Sequence, residues 1–236
     1  FRVRIRLRER FYKGKVLKGI DGLRKVGLKP LRLGPKEGLS LINGTQAMQA
    51  VGALALGEAM VVLEASHLAA AMSLEAIKGT PAPYEEQLVK LKPHPGQIQV
   101  AKILRRFLTK SEIRRSHLKG DDRVQDPYSF RCVPQVHGAV FDVLENASDV
   151  LTRELNSVTD NPVLVGERIF SGGNFHGQAL AFAFDSVSTA MTALGNIIER
   201  RVAQLVSQKK YLPPFLALHP GLESGFMMAH VTAAAL

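Results

Sequence analysis

Apolar residues return every three or four positions through most of this chain, a period that predicts helices. Val136, Val140, Val143, Leu144, Ala147, Leu151 and Leu155 form one such stripe, placing an amphipathic helix near 134–156 with Pro134 at its start. Leu180, Phe184, Val187, Met191, Leu194, Ile198 and Leu205 mark a second, near 177–206. Residues 46–78 are rich in Ala, Leu and Met and apolar over much of the helical circumference, so this helix should be surrounded by others. A shorter helix at 96–108, packing Ile98, Ile103, Leu104 and Phe107, follows a loop that Pro93 and Pro95 hold extended. Strand is expected only at 163–169, as a small hairpin before Ser171-Gly172-Gly173, and in the first ten residues, where apolar and Arg positions alternate. These elements predict an all-α bundle of long, roughly antiparallel helices. Helices of this length suggest an oligomeric bundle that shares its core between subunits.

Composition changes the picture in three places. The longest apolar stretch, 47–63, is interrupted by Gln49 and Glu58 and followed by Glu64, which reads as a bundle helix and not a membrane span. The one cysteine, Cys132, excludes an intrachain disulfide framework and is compatible with a reducing compartment. With no apolar leader behind the Arg-rich start, the expected location is the cytoplasm. Ten basic residues through Lys25, against Glu9 and Asp21, hold +8 of the +10 net charge. Charge confined to one end makes no binding face, so neither nucleic acid nor a membrane is an expected partner. Residues 1–11 are an atypical Arg-rich segment, expected to be disordered or artefactual, and 12–236 one helical domain or the central part of a larger one.

Several chemistries are excluded by pattern. There is no phosphate loop ending in Gly-Lys-Ser/Thr, no dinucleotide fingerprint, no Cys-x-x-Cys, no His-Glu-x-x-His and no nucleophile elbow. Helical histidines such as His137 and His230 are most simply hydrogen-bonded bundle residues. What remains is a site of amides, a phenol and a guanidinium. Between Val124 and Cys132, Gln125, Asp126, Tyr128 and Arg131 crowd around Pro127. Pro127 bars Asp126 from the helical region, so Asp126 fits an N-cap with Pro127 at the first helical position. Pro134 leaves room for about one turn, on which Gln125, Tyr128 and Arg131 would project to one side. Three further clusters of amide, hydroxyl and glycine lie at the edges of apolar runs: Asn43-Gly44-Thr45-Gln46, Asn156 to Pro162, and Ser171-Gly172-Gly173-Asn174-Phe175-His176-Gly177.

In this order the four motifs resemble the aromatic amino-acid ammonia-lyases, and are nearest to the histidine-specific members, from about Tyr12 to Leu236. The resemblance implies the central helical bundle of the fumarase–aspartase type. It also implies non-oxidative elimination of ammonia from L-histidine to give urocanate, in histidine degradation, by homotetramers whose sites draw on three subunits. The cofactor it implies is an electrophile, 4-methylideneimidazole-5-one, formed from an internal Ala-Ser-Gly, with no metal. Carried over residue by residue, Arg131 would take the substrate carboxylate and Asn161 would supplement that grip. Asn43 and Gln125 would hydrogen-bond the electrophile or substrate, with Tyr128 beside them as donor and proton relay. Phe175 would pack on a ring. His176 matches the Asn-Phe-His-Gly form usual in histidine lyases, where many phenylalanine lyases carry Gln. Read singly, Asn43 fits a helix cap, Phe175 a core residue and Tyr128 a buried phenol equally well. In the family the tripeptide and a tyrosine base lie upstream of the segment matching Tyr12-Lys13-Gly14, and a carboxylate lies further C-terminal. No Ala-Ser-Gly occurs in these 236 residues. The expectation is therefore the middle of a lyase, inactive by itself. The alternatives are a phenylalanine or tyrosine ammonia-lyase or aminomutase, and a non-catalytic scaffold.

Overall fold

The structure, a computed structural model, describes residues 10–121, 123–207 and 211–236. The alternating Arg-rich stretch at 1–9 lies outside them. The chain divides into two compact units, one of residues 1–44 and 160–172 and one of 45–159 and 173–236.

Among the described residues, the smaller unit holds two hairpins and two short helices. Strands β1 (Arg10–Tyr12) and β2 (Lys15–Leu17) pair antiparallel with Phe11 opposite Val16. Lys13 and Gly14 join them, both at positive φ (45° and 75°), the mirror-image turn that suits two-residue hairpins. This hairpin extends strand beyond the first ten residues, where none was expected. Its turn carries Lys in place of the Asn or Asp that usually announces such a geometry. Helices α1 (Gly19–Lys25) and α2 (Glu37–Ser40) follow. Strands β3 (Val163–Val165) and β4 (Arg168–Phe170) form the hairpin predicted before the Gly-rich turn, with Val163 opposite Phe170.

The larger unit is the bundle. Its helices are α3 (Gln46–Ala76), α4 (Glu86–Lys90), α5 (Pro95–Phe107), α6 (Glu112–Ser116), the single turn α7 (Tyr128–Arg131), α8 (Val133–Leu155), α9 (Gln178–Val206) and α10 (Met227–Ala235). The three long helices sit where the 3.6-residue period puts them. Thr45 Oγ1 donates to Glu154 Oε1 at 2.8 Å, whereas Ser66 Oγ lies 3.3 Å from His137 Nδ1, so α8 runs antiparallel to α3. Gly52 faces the Phe184 ring near the start of α9, and Arg201 near its end lies 3.2 Å from His137. Thus α3 and α9 run parallel to each other, each antiparallel to α8, which refines the expected antiparallel arrangement.

Leu63 and Leu74 from α3, Leu104 from α5, Leu144 from α8 and Leu180 and Leu194 from α9 fill the core. Burial on α5 corrects one expectation: Gln97, Val100, Ala101 and Leu104 face inward, while Phe107 is exposed. The reason is a backbone approach that composition does not announce. A Cβ on Gly138 of α8 would stand 2.6 Å from Gln97 Cα and 2.7 Å from Gly96 C, so only glycine lets α5 and α8 meet there. Backbone cannot yield as a side chain can. Gly138→Ala is therefore expected to cost about 3 kcal/mol or more, at the upper end for overpacking. Urea denaturation checks it, and an unchanged midpoint would mean the helices separate freely.

The long helix α3 departs from expectation on its outer side. Val51, Leu54, Val61 and Met72 are exposed, although Gln49, Ser66 and His67 are buried against the bundle. By length and composition this is the one described helix that could cross a membrane. Its buried polar face packs instead on α8 and α9.

Candidate active site

The turn between Gln125 and Arg131 is built from its buried side outward. Asp126 is buried and does not cap α7. Its Oδ2 accepts from the Thr80 backbone N–H at 2.7 Å and its Oδ1 pairs with Arg123 at 3.2 Å, tying the loop to the segment after α3. Pro127 holds the cap position, its carbonyl accepting from Phe130 and Arg131 N–H groups at 3.0 Å each. The cap thus falls one residue later than the proline rule suggests, because a distant backbone donor claims the carboxylate. Phe130 is fully buried as a peg. Beneath the turn, the Tyr84 hydroxyl donates to the Phe130 carbonyl at 2.7 Å and Arg201 Nε donates to the Ser129 carbonyl at 3.1 Å. Burial pushes the Tyr84 phenol well above its usual range, keeping it a donor.

With its inner side pinned, the turn presents its polar side outward. The Arg131 guanidinium lies 4.7 Å from the Tyr128 ring centroid and donates to Gln125 Oε1. Gln125, Tyr128 and Arg131 therefore converge, as their spacing implies. Tyr128 is 71% exposed, which removes the buried-phenol alternative. A planar cation stacked on a phenol and oriented by an amide is suited to a carboxylate.

Phe175 and His176 belong to the loop that opens α9. Phe175 is 37% exposed and so is not a core residue. His176 Nδ1 accepts from the Gln178 N–H at 3.2 Å, which leaves the ring's N–H on Nε2. Asn43 and Asn161 lie in the smaller unit. Asn43 follows α2, its N–H donating to the Leu39 carbonyl at 2.8 Å, and Thr45, not Asn43, is the first-cap residue of α3. Asn161 Oδ1 accepts from the Gly172 N–H at 2.6 Å, leaving its amide hydrogens for an acceptor elsewhere. The preceding Asp160 is held by Lys36 and by Ser40 at 2.9 Å.

Not all the candidates of the larger unit meet. The α7 turn shares a cleft of roughly 570 Å³ with Asn196, Ile197, Arg200 and Gln204 of α9. Phe175 and His176 precede Gln178 at the other end of the same helix. Nineteen residues of helix at 1.5 Å each separate Gln178 from Ile197 by about 28 Å. Within one chain, the Arg131 cluster and the Phe175 loop are far apart.

Sequence reasoning missed the polar residues of α9 that flank the turn. Asn196, Arg200 and Gln204 look like a solvated face, and only the cleft shows otherwise. Arg201 had a usable signal, because it interrupts the apolar stripe between Leu194, Ile198 and Leu205. It is buried, as are His137 and His67, whose rings lie 5.3 Å apart. Burial, then the Arg201 charge, lowers His67 to about 4; burial, Arg201 and His67 lower His137 to about 2. On the exposed side, Arg200 and then His230 hold the Glu199 carboxyl down to about 2.

Both buried histidines are neutral in the folded chain and protonate only on unfolding as pH falls below about 6.5. The unfolded state then binds more protons, so stability is full above pH 6.5 and falls below it. The loss continues towards about pH 4 for His67 and about pH 2 for His137. It amounts to up to about 1.4 kcal/mol per pH unit for each ring, or about 2 kcal/mol each by pH 5. Urea midpoints at pH 7 and pH 5 should differ accordingly, and the difference should shrink in His137→Gln; equal midpoints would refute neutral burial.

Comparison with known proteins gives the family. The family profile described as aromatic amino acid lyase matches residues 5–236. Histidine ammonia-lyase of Deinococcus radiodurans is 51% identical, covering 95% of this chain and 44% of its own length. That of Koribacter versatilis is 49% identical, covering 97% of this chain and 47% of its own. The chain thus spans under half the length of the curated relatives it matches. Among solved structures, histidine ammonia-lyase from Trypanosoma cruzi superposes with a TM-score of 0.84 at 41% identity, over 94% of this chain and 42% of that one. Phenylalanine aminomutase of Pantoea agglomerans superposes at 0.87 with 33% identity, over 98% of this chain and 49% of that one. The profile covers nearly the whole chain, and the fold and motif order agree with it: this chain belongs to the aromatic amino acid lyase family.

Proposed function

We propose that these residues form the carboxylate-gripping and positioning part of a histidine ammonia-lyase, which eliminates ammonia from L-histidine to leave urocanate. The observation that carries this reading is the Arg131 guanidinium stacked on Tyr128 and oriented by Gln125. Identities near 50% to proteins named histidine ammonia-lyase, and the Asn-Phe-His-Gly form at His176, favour histidine over the aromatic substrates of the aminomutases.

In this reading Arg131 receives the α-carboxylate in its planar fork and Asn161 adds an amide N–H. Tyr128 donates its hydroxyl, or passes a proton, at the face where substrate rests. His176 offers Nε2–H to a polar substrate ring, and Phe175 packs on a ring. The Gln125 amide and the Tyr128 phenol would suit a carbonyl-bearing heterocycle whose oxygen gathers negative charge, and the family resemblance adds the Asn43 amide to them. That is the donor chemistry 4-methylideneimidazole-5-one would need. When bound, this group supplies the electrophile that makes the substrate amine a competent leaving group.

The separation of about 28 Å along α9 between Gln178, beside the Phe175 loop, and Ile197, beside the Arg131 turn, supports a site assembled from several copies of the chain. So does the exposed apolar side of α3. We infer a homotetramer, located in the cytoplasm. A full-length version carrying an Ala-Ser-Gly segment, offered L-histidine, L-phenylalanine and L-tyrosine, should form urocanate fastest. Preference for an aromatic substrate, or a β-amino product, would move the assignment to the sister activities. Sedimentation as a stable monomer would sink the shared site.

A further inference from the structure

Arg201 is 3% exposed, and among the described residues no carboxylate pairs with it. A buried cation without a counter-ion costs stability, and an apolar residue of similar size in its place is often neutral or better. Its contacts show where its hydrogen bonds go. Nε donates to the Ser129 carbonyl at 3.1 Å and Nη2 faces His137 Nε2 at 3.2 Å. Arg donates only, so His137 Nε2 must accept and the ring proton sits on Nδ1. Nδ1 then donates to Ser66 Oγ at 3.3 Å, and Ser66 donates to the Leu63 carbonyl at 2.6 Å. The hydrogen bonds run one way, from α9 through α8 into α3. The His137 ring stays neutral, since burial and the adjacent guanidinium oppose its protonation.

The other end of this chain of contacts is the α7 turn. Ser129 and Phe130 are its two inner residues, and their carbonyls are fixed by Arg201 and Tyr84. Tyr128 and Arg131, which flank them, carry the outward groups. A one-turn helix has little cooperativity to hold its own orientation, so the external donors set the direction in which Arg131 leaves the backbone.

We propose that Arg201 is a positioning residue for carboxylate recognition, acting through the Ser129 carbonyl on Arg131, with neutral His137 as the acceptor that orients it. The inference rests on the reading of Arg131 as the carboxylate grip.

The test uses a full-length lyase that carries these residues together with an Ala-Ser-Gly segment. Arg201→Met removes both donors and the charge while keeping much of the volume. Inhibition is measured with imidazolepropionate, which has a carboxylate, and with histamine, which has none. For Arg201→Met the inhibition constant of imidazolepropionate and the KM for L-histidine should each rise about tenfold, the constant for histamine moving less than about twofold. Equal changes for both ligands would mean general loosening, and no change for either would mean no role; either overturns the inference. If Arg201→Met does not fold, Arg201→Lys decides: it keeps the charge, but a point ammonium cannot serve both acceptors as the fork does. Unchanged selectivity between the two ligands in Arg201→Lys would then overturn it. Arg131→Ala separates the two readings. Selectivity lost in Arg131→Ala but intact in the Arg201 variants sinks only the role of Arg201, whereas selectivity intact in Arg131→Ala sinks the carboxylate grip itself.

Discussion

A purified polypeptide of these 236 residues, given L-histidine, is expected to release no urocanate. The β-hydrogen of an amino acid is barely acidic and the protonated amine is a poor leaving group, so the elimination needs an electrophile. No Ala-Ser-Gly, the tripeptide from which the proposed group forms, occurs in the sequence. Binding groups do not replace it. Orienting the substrate, the role proposed for Arg131 and for Asn161, lowers the entropic part of the barrier, but gives an unactivated amine no route to depart. Nor do the long helices bring the candidates of one chain together, since about 28 Å of α9 lies between the Arg131 cluster and the Phe175 loop. Absorbance of urocanate is the readout, followed over hours against a no-protein control. Growth in proportion to protein concentration would show that these residues carry an elimination chemistry of their own.

Arg131→Ala, in a full-length version supplied with the tripeptide, is the second large effect expected. Removing a charge-assisted contact to the carboxylate costs about 2–4 kcal/mol, roughly thirty- to a thousandfold in kcat/KM. The structure sharpens that expectation, because the guanidinium is already stacked on Tyr128 and oriented by Gln125. Little ordering remains to be done when substrate arrives, so most of the contact energy should reach the complex. The loss should fall mainly on KM if the carboxylate is held equally in ground and transition states. Should it fall on kcat, Arg131 grips harder as the reaction proceeds. An unchanged kcat/KM would remove Arg131 from the site while leaving family membership intact.

Arg201 gives the clearest measure of how far the sequence could be read. A charged residue at a stripe position was visible between Leu194 and Leu205, but a stripe break is as easily a solvated edge. Only the neighbours decide. His137 from α8 and the Ser129 carbonyl from α7 come from 64 and 72 residues away to meet it. Asp126 teaches the same lesson from the other direction. Its local context favours a cap, yet a Thr80 N–H 46 residues earlier claims the carboxylate and moves the cap to Pro127.

The sequence by itself determined where the long helices begin and end, because a 3.6-residue apolar period is a local property of the chain. It determined the β3–β4 hairpin, because a short apolar run before a Gly-rich turn is equally local, and the order of the four polar motifs that carries the resemblance to the family. The tertiary structure alone decided which faces meet. Period sets the phase of a helix but not its partner, so the parallel course of α3 and α9 was not legible. The close passage of α5 over Gly138 was equally hidden, as was the exposed side of α3. It also decided the geometry of the site. Three side chains spaced along one turn can be seen to share a side. Which buried donors aim that turn, and how far it stands from Phe175, depends on hydrogen bonds and helix lengths that join distant parts of the chain.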